Sequence, residues 1–154
     1  MRASKVMRLF LGFSICLASL PAVAAGPYEF YSVVPCRLVD TRRPNGPTGG
    51  PALTSGVTRS FPIKGFCGIP ATAQQVAVNI TMIGATQNGF LVVWPYKTPM
   101  PWTSKLNSQA GTWAIANGAL VSLAADPKLS ISVLYSTSAV GKTEVVLDVT
   151  GYLQ

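Results

Sequence analysis

An antiparallel β-sandwich, jelly-roll-like and of about eight strands, is the fold class this sequence predicts. Three observations carry the prediction. Apolar and polar residues alternate with period two over several segments, clusters of Pro, Gly, Asn and Ser separate them, and no window holds a capped apolar stripe of helical period. Many short strands with turn signals between them belong to sandwiches and jelly rolls.

The clearest strands come late in the chain. Gln75 to Ile83 reads QVAVNITMI, with Val76, Val78, Ile80 and Met82 on one face and Ala77, Asn79 and Thr81 on the other. Leu129 to Tyr135 sets Leu129, Ile131, Val133 and Tyr135 against Ser130, Ser132 and Leu134. Glu144 to Leu153 alternates Val145, Leu147 and Val149 with Val146, Asp148 and Thr150. Further strands are expected at Tyr28 to Val34, Arg37 to Thr41, Val57 to Ile63, Phe90 to Tyr96 and Thr112 to Leu123. Arg43 to Pro51, rich in Pro and Gly, reads as a loop. Asn117-Gly118 leaves a choice between a two-residue hairpin turn and one long strand with a bulge at Gly118. The first and last strands are expected to lie close together.

The first 25 residues read as a secretory signal peptide. Arg2, Lys5 and Arg8 precede an apolar run from Leu9 to Leu20, which ends in Pro21 and the small residues Ala22 to Gly26. The run is shorter than the roughly 20 apolar residues a bilayer span needs, and Ile15 before Cys16 argues against a lipid anchor. One mature domain, residues 26–154, is expected, with no transmembrane segment after cleavage and a secreted, cell-surface or periplasmic location. Nine basic residues then face five acidic ones, a net charge of about +4. The basic residues are scattered rather than clustered, so nucleic acid is not the expected partner.

Two cysteines remain in that domain, Cys36 and Cys67. An even pair in an oxidising compartment predicts a disulfide. No metal site is expected, because two thiols and no histidine cannot fill a tetrahedral shell. No cofactor is expected either.

Several segments resemble a family of secreted bacterial surface domains, common in actinobacteria and acidobacteria, with the signature P-C-R-[LIV]-x-D-T-R. It stands here as Pro35-Cys36-Arg37-Leu38-Val39-Asp40-Thr41-Arg42. The resemblance continues through Cys67 to Ala73, Val76 to Thr81, Gly89 to Pro95, Ser104 to Asn107, Ala116-Asn117 and Asp148-Val149-Thr150-Gly151-Tyr152-Leu153. In that family Ala116-Asn117 falls inside a strand, which favours the unbroken reading of Thr112 to Leu123. The resemblance implies a module that occurs in tandem or beside enzymatic domains, with no defined activity. This sequence differs in holding a single copy.

Charge is sparse, so Arg37, Asp40, Arg42 and Asp148 stand out as structural ion pairs. A carboxylate at Asp148 within an apolar strand requires a partner, and Arg37 or Arg42 supplies a two-pronged guanidinium. The Arg37–Arg42 segment is therefore expected against the C-terminal strand. Asp40 and Asp148 as a hydrolytic carboxylate pair is the weaker alternative. With no histidine, Ser-His and Cys-His catalysis is excluded. Ser136 to Thr143 ends like a phosphate loop but lacks its first glycine and its helix. Asn79-Ile80-Thr81 matches a glycosylation sequon on a strand.

Trp94 to Trp102 holds three prolines and reads as a stiff surface loop. Tyr96, Met100 and Trp102, with Trp113 nearby, are the candidate ligand- or partner-binding residues. The competing expectation is that these aromatics fold back and cap the sandwich. The function that follows is a non-enzymatic secreted or cell-surface structural and interaction module. A carbohydrate-binding module using the loop aromatics is the first alternative, and a fibre subunit joined by strand exchange the second. The partner expected for the module is cell-envelope polysaccharide, protein or the chain itself.

Overall fold

A computed structural model describes residues 27–126 and 128–154. The signal-peptide segment lies outside the described residues. Among the described residues nine strands form: β1 (Phe30–Asp40), β2 (Leu53–Thr54), β3 (Thr58–Phe61), β4 (Gln75–Ile83), β5 (Gly89–Pro95), β6 (Leu106–Ser108), β7 (Ala114–Ser122), β8 (Ile131–Thr137) and β9 (Lys142–Leu153). No helix occurs among the described residues.

The strands build two antiparallel sheets. One runs β1-β9-β4-β7, with β2 also paired to β9, and the other runs β3-β8-β5-β6. The apolar faces of both sheets meet in one core. Val76, Val78, Ile80 and Met82 of β4 and Val145, Leu147 and Val149 of β9 supply one side. Phe61, Leu91, Val93, Ile131, Val133 and Tyr135 supply the other. β4 alternates buried and half-buried residues over its whole length, as its sequence period requires. Tyr135 is fully buried, and its hydroxyl donates to the Gln87 carbonyl at 2.7 Å.

Several sequence expectations need correction. Tyr28–Val34 and Arg37–Thr41 are one strand, β1, which runs through Pro35. An edge strand tolerates proline because one side of its backbone has no partner. The pairing of β1 with β9 slips between Ser32 and Cys36, where the proline sits. Thr112–Leu123 contains a single strand, as the unbroken reading has it. The bulge expected at Gly118 does not form, because β7 stays in continuous register with β4 from Gln75↔Ser122 to Ile83↔Ala114. β8 starts at Ile131 rather than Leu129, because Asp126 accepts the N–H groups of Lys128 (2.8 Å) and Leu129 (3.0 Å) and turns the chain there. β2 and β6 were not expected; they are too short to show a period.

The first and last described strands pair directly, Phe30↔Leu153 through Asp40↔Val146. The two end strands, one of which a strand-exchange fibre would have to pair with another chain, thus satisfy each other within one chain.

Candidate functional site

Two regions gather the residues singled out by the sequence. The first is the seam between β1 and β9, made by the Pro35–Arg42 signature. Cys36 bonds Cys67 across a separation of 31 residues, with the two Cα atoms 5.8 Å apart. Arg37 donates to Asp148 through Nε at 2.8 Å and Nη2 at 2.9 Å, a two-pronged ion pair across the strands. Arg42 does not reach Asp148. It folds back on Asp40, with Nε at 2.8 Å and Nη2 at 2.7 Å from the carboxylate. Hydrogen bonds from the Arg42 side chain hold the Asp40 carboxyl down at about 2, against an opposing effect of burial.

The residues between these ions are structural too. Leu38 and Val39 are buried in the core. Thr41 is 3% exposed; its Oγ1 accepts the Val145 N–H at 2.8 Å and is hydrogen-bonded to the Glu144 carboxylate. Sequence reasoning missed the Thr41–Glu144–Val145 link, because nothing in a lone Thr-Arg dipeptide marks a strand 103 residues away. Asp40 and Asp148 each accept from a guanidinium, and Arg37 Nη1 also lies 3.9 Å from Asp40, so both carboxylates are ion-paired rather than a free acid and a free base.

The second region is the side of the sandwich where β6 and β7 run near each other. The aromatics of the proline-rich loop divide there. Trp94 is 7% exposed and turns inward, its Nε1 donating to the Thr98 carbonyl at 3.2 Å. Trp102 is 91% exposed and Trp113 82% exposed. Capping by a folded-back loop therefore describes Trp94 and not the other two. Tyr96 is half-buried with the Lys97 Nζ 5.2 Å from its ring centre, and Met100 is half-buried. The turn is fixed by the Thr98 hydroxyl and N–H, both on the Pro95 carbonyl, at 2.9 and 3.3 Å.

Two shallow hollows lie beside chain neighbours of the exposed tryptophans, and neither Trp102 nor Trp113 lines either of them. Pro101, Thr103 and Lys105 line one with Leu120 to Ser122. Asn107, Ser108 and Gln109 line the next with Thr112 and Ile115. Between them Asn117 Nδ2 donates to the Lys105 carbonyl at 2.7 Å and ties the two sheets together. Trp102 follows Pro101 of the first hollow and Trp113 follows Thr112 of the second, so their backbones lie about the length of β7 apart, or about 25 Å. Neither Tyr96 nor Met100 lines either hollow. The bridging role of Asn117 was hidden in the sequence, where Asn-Gly reads as a turn signal.

Among the described residues no group of three or more His, Cys, Asp or Glu side chains could hold a metal ion. No described helix is long and apolar enough to cross a membrane.

No protein-family model matches the chain, and no curated protein does. Among solved structures it is similar to the cyanophage Pam1 capsid asymmetric unit, with a TM-score of 0.36 and 16% identity over 87% of this chain and 94% of that one.

Proposed function

We propose that this chain is an exported, non-catalytic structural and interaction module whose contact surface is the side carrying Trp102 and Trp113. One observation carries the reading: two tryptophans stand 91% and 82% exposed on a braced platform. A tryptophan left in solvent is a large apolar surface open to a partner, and tryptophan contributes heavily to binding wherever a partner buries it. Export is supported by the basic and apolar N-terminus and by a disulfide, which persists in oxidising compartments. The resemblance to secreted bacterial surface domains supports it as well. The signature of that family is absorbed here by the β1–β9 seam, which leaves it a structural part. The absence of histidine, with Asp40 and Asp148 each engaged by arginine, supports a module without catalysis.

A polysaccharide is the ligand class favoured by the strip between the tryptophans. Amide and hydroxyl side chains from Asn107, Gln109 and Thr112 line its second hollow, the groups that hydrogen-bond sugar hydroxyls beside stacking rings. The spacing of about 25 Å suits an extended chain better than a single ring. Binding of the secreted protein to purified cell-envelope and plant polysaccharides tests this. Quenching or a blue shift of tryptophan emission that disappears in Trp102→Ala and Trp113→Ala is the expected result. Unaltered emission with every polymer removes the polysaccharide reading.

A further inference from the structure

We infer that the free edge of β7 is a homodimer contact, in which a second copy of this chain adds its own β7 antiparallel about a two-fold axis at Gly118. The edge borders the hollows of the tryptophan-bearing side, and the inference goes beyond the proposed function because it rests on the backbone of β7.

A sheet edge presents unpaired N–H and C=O groups, and proteins guard such edges with charge, proline, bulges, covering segments or brevity. Three of the four outer edges are guarded. β1 carries Pro35, Arg37 and two slips of register, and a disulfide ties it to the Cys67 loop. β3 is four residues long, and its Arg59 guanidinium donates to the carbonyls of Gly49 (2.9 Å), Gly50 (3.2 Å) and Pro51. β6 is three residues long. β7 lacks charge, proline, bulge and brevity, and the Asn117 amide on the Lys105 carbonyl is its one side-chain link to the neighbouring segment among the described residues. It runs nine residues without proline or bulge. It also sits within Leu106 to Ala125, twenty residues without one charged side chain.

The alternation of an antiparallel ladder fixes which groups are free. The Trp113 carbonyl accepts from Gly84 and the Leu123 N–H donates to Gln74, so odd-numbered residues of β7 face β4. Ala114, Ala116, Gly118, Leu120 and Ser122 therefore point their N–H and C=O groups outward. Among the described residues none of these groups has a partner.

The second copy is the occupant that this edge fits. Gly118 is the midpoint of Ala114–Ser122, so a two-fold there sets Gly118 opposite Gly118, Ala116 opposite Leu120 and Ala114 opposite Ser122. All five outward donors on each strand then meet acceptors on the other. A Cβ built at Gly118 would meet nothing within 4 Å, so the outer face of β7 is open beside the axis. A cationic protein meets its own copy with least repulsion along a charge-free edge. The same neutrality gives a charged partner nothing to recognise. A two-fold contact uses the same patch on both subunits, so it closes as a dimer and does not propagate as a fibre.

Sedimentation of the secreted protein over a range of concentrations tests the inference. Reversible monomer–dimer behaviour is expected. Ala116→Lys is expected to raise the dimer dissociation constant at least about tenfold, equivalent to about 1.4 kcal/mol, with an unchanged thermal midpoint. Leu120→Glu is expected to do the same. Mixing the two variants restores association, because the two-fold register places residue 116 opposite residue 120. A monomer at the highest soluble concentration overturns the inference. So does a dimer that both variants leave intact, or an open-ended polymer.

Discussion

At the residue scale, the Pro35–Arg42 signature explains itself as a set of attachments. Asp40 is the most constrained: its side chain is 7% exposed, and Arg42 holds its carboxyl at about 2 against an ordinary 3.8. A depressed carboxyl contributes stability that is complete above its unfolded value and is lost as pH falls through its folded one. Urea midpoints measured between pH 4 and pH 2 are therefore expected to fall. Asp40→Asn lowers stability at neutral pH by about 2 kcal/mol and flattens the part of the acid decline that belongs to this residue. The Arg37–Asp148 pair is more exposed, with 44% of the arginine side chain in solvent. A double-mutant cycle on these two residues is expected to give a coupling of about 0.5–1 kcal/mol, measured by urea unfolding. The same cycle on Arg42 and Asp148 is expected to be additive. The need of Asp148 for a guanidinium was legible from its place in an apolar strand. Which arginine supplies it was not, because that depends on the register of β1 against β9.

At the scale of elements, strands with a long period-two pattern were legible and short or irregular ones were not. β4 has the limits its alternation marks, Gln75 to Ile83. β2 and β6 hold two and three residues, too few for any period, and exist because neighbouring strands offer open ladder positions. β1 read as two strands because Pro35 interrupts its pattern, and pairing with β9 overrides that local signal. Gly118 read as a bulge because glycine in a strand marks one; here its lack of a side chain leaves the outer face of β7 open instead. The disulfide fastens β1 to the segment that leads into β4. On the chain-entropy account, replacing Cys36 and Cys67 by serine costs about 3.5–4 kcal/mol for a loop of this size. Guanidinium unfolding of the double variant checks it, and a loss well under 1 kcal/mol would contradict that view of the bond.

At the scale of the molecule, the fold class and the disulfide were readable from composition and pattern, while the contact surface was only half readable. The sequence marked Tyr96, Met100, Trp102 and Trp113 as one candidate group. Packing divides them: Trp102 and Trp113 are fully presented, while Tyr96 and Met100 settle half-buried at the loop base. No local pattern could predict that division, because exposure of a loop side chain depends on the strands beneath it. The arrangement leaves a braced β-sandwich with a tryptophan at each end of one side.

The most direct test of that surface is retention of the secreted protein on its own cell envelopes and on purified envelope polysaccharide, alongside Trp102→Ala and Trp113→Ala. Both substituted positions are exposed, so thermal midpoints should stay within a few degrees of wild type. The expected result is retention of the wild-type protein and release of both variants, with the buried Trp94 supplying an unchanged emission background. Equal retention of all three proteins, or retention of none, would contradict the assignment of this side as the contact surface.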